Sequence, residues 1–260
     1  MARSPYEKPE LYELAFAWRD YKQSVDFLID ASREAGLADI KAMVELGCGP
    51  AQYAREFARR GIPGYGVDIS PEMALYAQSI YDRDNLPGGI IESDFRDFSL
   101  EKPAELAICM MATFGYLLTN DDIVRHFRSV ARNLVSNGLY ILELPHPRDI
   151  YDVEKSTKDV WEMENEQVKL TIDWASDSTF DPITEIDAGT VRMKLEDNGD
   201  VTELTSPDQT RRLGLGHLRA LLQLAGCFEI VAMYGDLRVE QQFDSTKKSW
   251  RMIPVLKKID

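Results

Sequence analysis

Cysteine and histidine are scarce, with three of each among 260 residues. Cys48, Cys109 and Cys227 have neither the paired spacing of a zinc site nor the density of a disulfide scaffold. His126, His146 and His217 stand far apart, so no metal site is expected. No apolar run approaches the length of a membrane span, and the opening, Met1 to Glu7, has no apolar stretch behind it to act as a signal. The expected location is therefore cytoplasmic, with no membrane partner. Basic residues are outnumbered, 30 against 44 acidic ones, for a net charge of −14. That balance opposes nonspecific contact with phosphate backbones, and nucleic acid is not an expected substrate. Tandem repeats and low-complexity tracts are also missing, and the acidic surplus is spread along the chain as a solvated surface.

What is present begins with Val44-Glu45-Leu46-Gly47-Cys48-Gly49-Pro50-Ala51-Gln52-Tyr53, followed by Tyr65-Gly66-Val67-Asp68-Ile69-Ser70. This reads as a strand, a glycine loop, a helix and a second strand tipped by one carboxylate, the half of an open α/β sheet that grips an adenosine cofactor. Side chains at Gly47 and Gly49 would block a ligand's approach to the backbone, and glycine reaches the φ > 0 conformations of a sharp turn. Asp68 is positioned to accept hydrogen bonds from a ribose diol. Two details oppose NAD or FAD. Gln52 stands where a dinucleotide fingerprint wants a third small residue, and Glu45 would repel a pyrophosphate while balancing a cationic ligand or holding the loop's amides.

At these residues the chain resembles the class I S-adenosylmethionine-dependent methyltransferases, whose first motif is E/D-x-G-x-G. The resemblance covers residues 40 to 145 strongly and the rest loosely. Glu45, Gly47 and Gly49 match, while Ala51 replaces a third glycine found in many members. Asp68 matches the family's ribose-binding acid. In Glu92-Ser93-Asp94-Phe95 the resemblance implies Asp94 on the adenine amino group and Phe95 beside the ring, with Met73 covering the other face. Cys48 and Ile69, beside the loop and the acid, complete that set. A leading helix over the cofactor makes Tyr12, Arg19 and Tyr21 candidates to enclose the methionine end, with Arg19 paired to its carboxylate. Met111, Ala112, Phe114 and Tyr116 are implied as walls beside the transferring methyl. Simpler roles suit the same residues: Met73 as core, Asp94 as a helix cap, the apolar wall as plain burial.

Alternation organises the middle of the chain: strand 42 to 47, helix 51 to 60, strand 65 to 68, helix 71 to 81, strand 89 to 93, strand 104 to 111, helix 121 to 135 and strand 138 to 144. It predicts an α/β fold with a doubly wound, mostly parallel sheet, seven-stranded by resemblance. Asn137-Gly138 is read as the stop of the helix ending near Leu134. Residues 1–40 form leading helices over the cofactor site, and residues 41–147 with 211–260 form the cofactor-binding core. Residues 148–210, with Val168 to Trp174, Gly189 to Leu195 and the turn Asp197-Asn198-Gly199-Asp200, form an antiparallel insertion of three or four strands. A helix over 216 to 227 and strands over 228 to 234 and 250 to 257 close the chain.

The expected function is transfer of a methyl group from S-adenosyl-L-methionine to a small-molecule acceptor. Nitrogen is preferred, because the insertion resembles the substrate-covering sheet of sugar-amine and glycine-type N-methyltransferases. In-line displacement needs mainly proximity and exclusion of water. An amine must be neutral to attack, and His146, Glu143 or Tyr116 could orient it and take its proton. His146 also suits a mere position in the turn Pro145-His146-Pro147. O- or C-methyl transfer, an NAD-dependent oxidoreductase and a noncatalytic cofactor-binding protein are the competing readings. Exposed strand edges on the insertion make a homodimer a candidate assembly.

Overall fold

Short helices open the chain in the computed structural model, which describes residues 4–151, 159–165, 168–197 and 199–259. After a 3-10 turn at Pro5–Glu7 come α1 (Pro9–Ala15) and α2 (Tyr21–Glu34), and Asp20 caps α2 by accepting from the Gln23 amide at 2.9 Å. The alternating stretch follows as β1 (Met43–Leu46), α3 (Gln52–Arg59), β2 (Gly64–Asp68), α4 (Pro71–Asp84), β3 (Gly88–Glu92), β4 (Ala104–Cys109), α5 (Asn120–Arg132) and β5 (Leu134–Leu142). Ser70 caps α4 with Pro71 in its first turn, and Thr119 caps α5.

Next come β6 (Leu144–Pro145), α6 (Pro147–Tyr151), β7 (Asp159–Glu164), β8 (Val168–Trp174), β9 (Thr179–Asp181), β10 (Ile186–Asp197) and β11 (Asp200–Arg211). The chain closes with α7 (Leu215–Ala225), β12 (Phe228–Tyr234) and β13 (Arg251–Lys258).

The main sheet runs β12-β13-β5-β4-β1-β2-β3, with β6 added beside β13. Strands β1 to β5 pair in parallel, while β13 is antiparallel to both β5 and β12. Period-2 alternation divides the core. Val44 and Leu46 face the cluster carrying Phe127 of α5 and Leu218 of α7, while Met43 faces the cluster carrying Leu28, Phe57 and Tyr81 of α2, α3 and α4. The doubly wound, mostly parallel sheet is thus as expected.

Two expectations are corrected. Helix α5 ends at Arg132, and Asn137-Gly138 lies inside β5, with Asn137 at φ +61. Leu134 is buried and already pairs with Ala104, so the turn signal is absorbed as a bulge before pairing resumes at Leu106↔Leu139. The insertion holds five strands rather than three or four, ordered β11-β10-β8-β7 with the short β9 beside β10, and its hairpin β10–β11 runs twelve residues per strand. Of the expected 197–200 turn, Asn198 lies outside the described residues, while Asp197 pairs with Asp200. The inner face of this sheet packs Leu170, Ile172, Met193 and Leu204 against Ala15 and Phe16 of the leading segment. Among the described residues no helix is long and apolar enough to cross a membrane.

Candidate active site

The strand β1 ends at Leu46, and the loop to α3 turns through three left-handed residues: Gly47 at φ +63, Gly49 at φ +49 and Ala51 at φ +58. A Cβ on Gly47 would overlap the methyl of Thr113, whereas one on Gly49 would stand in ordinary contact with Tyr12 and Met73. Ala51, the helix cap, holds a conformation disfavoured by about 1–2 kcal/mol for a residue with a Cβ. The replacement of glycine there is therefore strained.

The loop is tied to the tip of β2. Gly49 N–H donates to Asp68 Oδ2 at 2.6 Å and Ser70 N–H to Oδ1 at 2.9 Å, while Ser93 N–H donates to the Asp68 carbonyl at 2.9 Å. Burial pushes the Asp68 carboxyl up, and the Ser70 and Gly49 amides oppose the shift. Ile69 beside it is 63% exposed. Met73 is buried next to the loop. Asp94 accepts from the backbone amide and guanidinium of Arg96; burial alone would raise its carboxyl, yet Arg96 holds it below the ordinary value. The Phe95 carbonyl is fixed by His126 Nδ1 at 2.8 Å.

Two adjoining cavities flank the loop. The smaller, of about 40 Å³, is lined by Glu45, Gly47, Cys48 and Gly49 below and by Tyr12 and Tyr21 above. The larger, of about 680 Å³, lies between the main sheet's edge and the five-stranded insertion. Tyr12, Phe16, Met111 and Thr113 line both. Arg19, Tyr116, Trp161, Trp174, Asp187 and Asp208 line only the larger one. Glu45 sits deep beneath the loop, its Oε2 accepting from the Ala54 amide at 2.9 Å, and burial pushes its carboxyl up to about 8 against that amide and Arg55.

The expected residues thus divide. Tyr12, Tyr21, Glu45, Gly47, Cys48, Gly49 and Met111 share the smaller cavity, with Arg19 and Tyr116 in the larger. Asp68, Ile69, Met73, Asp94 and Phe95 line neither cavity and stand at the neighbouring ends of β2 and β3 or in the elements that follow them. Three of the expected residues already hold partners within the fold. Arg19 donates to Glu143 Oε2 at 2.6 Å and to the Tyr53 hydroxyl at 3.0 Å. Glu143 lines neither cavity and is fully buried; besides Arg19 it accepts from the Met111 amide and faces Arg251 Nε at 3.2 Å, which removes it from contact with an acceptor. His146 also lines neither cavity: its Nδ1 accepts from the Arg148 amide and its Nε2 donates to the Asp244 carbonyl, so no lone pair is left for a substrate proton.

Other contributors escaped the sequence reading. Glu13 on α1 accepts from Gln52, Arg55 and Tyr76, latching the leading helix onto α3 and α4. Those partners lie 39 to 63 residues away, so no local pattern announces the latch. Tyr116 O–H donates to Asp208 Oδ1 at 2.9 Å and meets the Tyr6 hydroxyl at 3.0 Å. A signal did exist for Asp208: it lies four residues after buried Leu204 on β11, on the same inward face.

Comparison with known proteins bears on the domain and the fold. Residues 43–138 match the family described as Methyltransferase domain. The chain is 23% identical over 137 residues to dTDP-3-amino-3,4,6-trideoxy-α-D-glucopyranose N,N-dimethyltransferase of Streptomyces venezuelae, a match covering 52% of this chain and 55% of that one. The chain spans about half the length of the curated relatives it matches. Its fold is similar to that of an S-adenosylmethionine-dependent methyltransferase from Clostridium acetobutylicum, with TM-score 0.77 at 17% identity over 94% of each chain. It is also similar to an amino pentose methyltransferase of Micromonospora echinaspora solved with S-adenosylmethionine bound, with TM-score 0.72 and 19% identity over 96% of this chain and 97% of that one. At these identities the likeness is one of fold, the class I methyltransferase fold with an antiparallel insertion.

The residues present fit S-adenosyl-L-methionine. Asp68 is held by two amides beside exposed Ile69, a Cβ on Gly49 would make only ordinary contact with Tyr12 and Met73, and Glu45 supplies a carboxyl to the lining of the smaller cavity.

Proposed function

We propose that this chain, whose residues 43–138 match a methyltransferase domain, is a class I S-adenosylmethionine-dependent enzyme that methylates the amino group of a small molecule. The observation that carries the proposal is the larger cavity. At about 680 Å³ it suits a ligand of nucleotide-sugar size, and it shares Tyr12, Phe16, Met111 and Thr113 with the cofactor loop's own cavity. Its wall mixes aromatic rings with carboxylates. Amino sugars are what the names of the Streptomyces venezuelae and Micromonospora echinaspora proteins specify, which favours nitrogen as the acceptor atom.

In this reading Asp68 takes the ribose diol, and Ile69, Phe95 and Asp94 border the adenine, with Met73 as packing behind the loop. Glu45 faces the ammonium, while Tyr12, Tyr21, Cys48 and Met111 wall the methionine end. Bound S-adenosylmethionine supplies an electrophilic methyl: a C–N bond forms from the amine lone pair as the C–S bond breaks with its electron pair to sulfur. Arg19 and Glu143 hold the leading segment and the Met111 turn in place, which excludes water from the junction. Residues 148–210 act as the acceptor's cover, residues 1–40 as the cofactor's, and residues 41–147 with 211–260 as the core. A homodimer through the edge strand β7, where Val160 is exposed, belongs to the same proposal and is read by sedimentation.

The test is incubation of the protein with methyl-labelled S-adenosylmethionine and a panel of small amines and alcohols, dTDP-amino sugars among them. Label in an amine supports the proposal. Label in hydroxyl or carbon acceptors only, or in none, contradicts it.

A further inference from the structure

We propose that Asp208 and Tyr116 form the seat of the acceptor's amino group, with the Asp208 carboxylate binding the incoming ammonium and taking the proton it must lose. The inference rests on the amine-methylation reading and names the residues that would make the site select nitrogen.

Of the buried acids Glu45, Glu56, Glu143 and Asp208, only Glu45 and Asp208 have no ion pair among the described residues, and of these two only Asp208 lines the larger cavity. It is 7% exposed, lines the larger cavity, and its hydrogen-bond donor is the neutral Tyr116 hydroxyl at 2.9 Å. Among the described residues no lysine, arginine or histidine lies within ion-pairing distance of it. Of the other acids lining that cavity, Asp187 pairs with Arg212 and Glu162 with Lys169, while Asp149 is exposed to solvent. A carboxylate buried without a cation is costly unless something completes it, and a ligand ammonium entering the cavity does so.

Position supports the same role. Tyr116 closes the 3-10 turn Thr113–Tyr116, whose first residue also lines the smaller cavity beside Gly47. Three residues of such a turn rise about 6 Å, so the seat lies within one side chain's reach of the junction between the cavities. Tyr6, brought in by the leading segment, extends the hydroxyl chain at 3.0 Å, so the seat is complete only with that segment in place. Burial pushes the Asp208 carboxyl up, Tyr116 pulls it down and Asp187 adds a smaller upward push, which makes Asp208 a better proton acceptor than a surface aspartate. Proton accounting closes. An amine entering as R–NH₃⁺ gives one proton to Asp208, which frees the nitrogen lone pair, and the methylated product leaves as a cation while that proton passes to solvent.

The experiment compares wild type with Asp208→Asn, Asp208→Glu and Tyr116→Phe. Calorimetry with S-adenosylhomocysteine reads the cofactor site first, and all four proteins should bind it about equally. Ternary binding and kcat/KM are then measured for ethanolamine and dTDP-3-amino-3,4,6-trideoxy-α-D-glucopyranose, each beside its hydroxyl counterpart. Wild type should favour the amine by roughly a hundredfold, Asp208→Asn should lose that preference, Asp208→Glu should recover part of it, and Tyr116→Phe should weaken it. An Asp208→Asn protein that keeps the amine preference overturns the proposal, as does wild type that binds S-adenosylhomocysteine but neither binds nor methylates any amine. Failure of wild type to bind S-adenosylhomocysteine is a separate result and removes the methyltransferase reading itself.

Discussion

Arg19 and Glu143, 124 residues apart, meet at 2.6 Å with side chains 5% and 0% exposed. One belongs to the leading segment and the other follows β5, so the pair pins the cover to the sheet. Glu143 also accepts from the Met111 amide at 3.0 Å and faces Arg251 at 3.2 Å. A single carboxylate thus faces two guanidinium groups and holds the turn that both cavities share.

Removing that carboxylate should be severe. Glu143→Ala leaves Arg19 buried without its counter-charge, and breaking such a pair from one side costs about 3–5 kcal/mol. Thermal or urea denaturation should show the loss. A midpoint close to that of wild type would mean that the network is not structural.

His126 predicts an acid limit. Its ring lies between the Phe95 carbonyl and the Tyr140 hydroxyl, and burial lowers it from 6.5 to about 4. The unfolded chain takes up the proton first as pH falls below 6.5, so the stability contributed by neutral His126 is present above that pH and is lost on the way down to about 4. The loss amounts to about 3 kcal/mol at most. The stability gap between wild type and His126→Gln should therefore shrink across this window. A gap independent of pH would contradict the assignment.

Glu45 predicts proton release. With its carboxyl pushed up to about 8, it is mostly protonated at neutral pH, and a cationic ligand beside it favours the ionised form. Binding of S-adenosylhomocysteine, whose amino group is cationic, should release a fraction of a proton near pH 7. Calorimetry in phosphate and in Tris should differ in apparent enthalpy accordingly, and equal enthalpies would count against Glu45 as the ammonium's neighbour. The same raised value works against the fold: the unfolded carboxyl ionises first, so this group's contribution to stability declines as pH rises from about 4.5 to about 8.

Local patterns made most of the main sheet legible. Strand and helix periodicities, the Ser70-Pro71 cap and the Gly47–Gly49 loop are encoded within a few residues of where they act. Asn137-Gly138 misled because a turn dipeptide serves a bulge as well as a helix stop. In the site, the residues of the loop itself were readable, since the backbone dictates them. Those whose role depends on a distant partner were not. Arg19 looked free until Glu143 was beside it, His146 looked available until Arg148 and Asp244 occupied its ring, and Glu13 and Asp208 act only through contacts across the fold.

Asp68 carries the most direct test, because it joins the glycine loop to the end of β2 through the Gly49 amide at 2.6 Å. Titrating S-adenosylhomocysteine into wild type and Asp68→Ala by calorimetry should give saturable binding to wild type, weakened in the variant by about 1–3 kcal/mol. No binding to wild type, or equal affinity in the two proteins, would contradict the adenosine cradle from which the proposed chemistry follows.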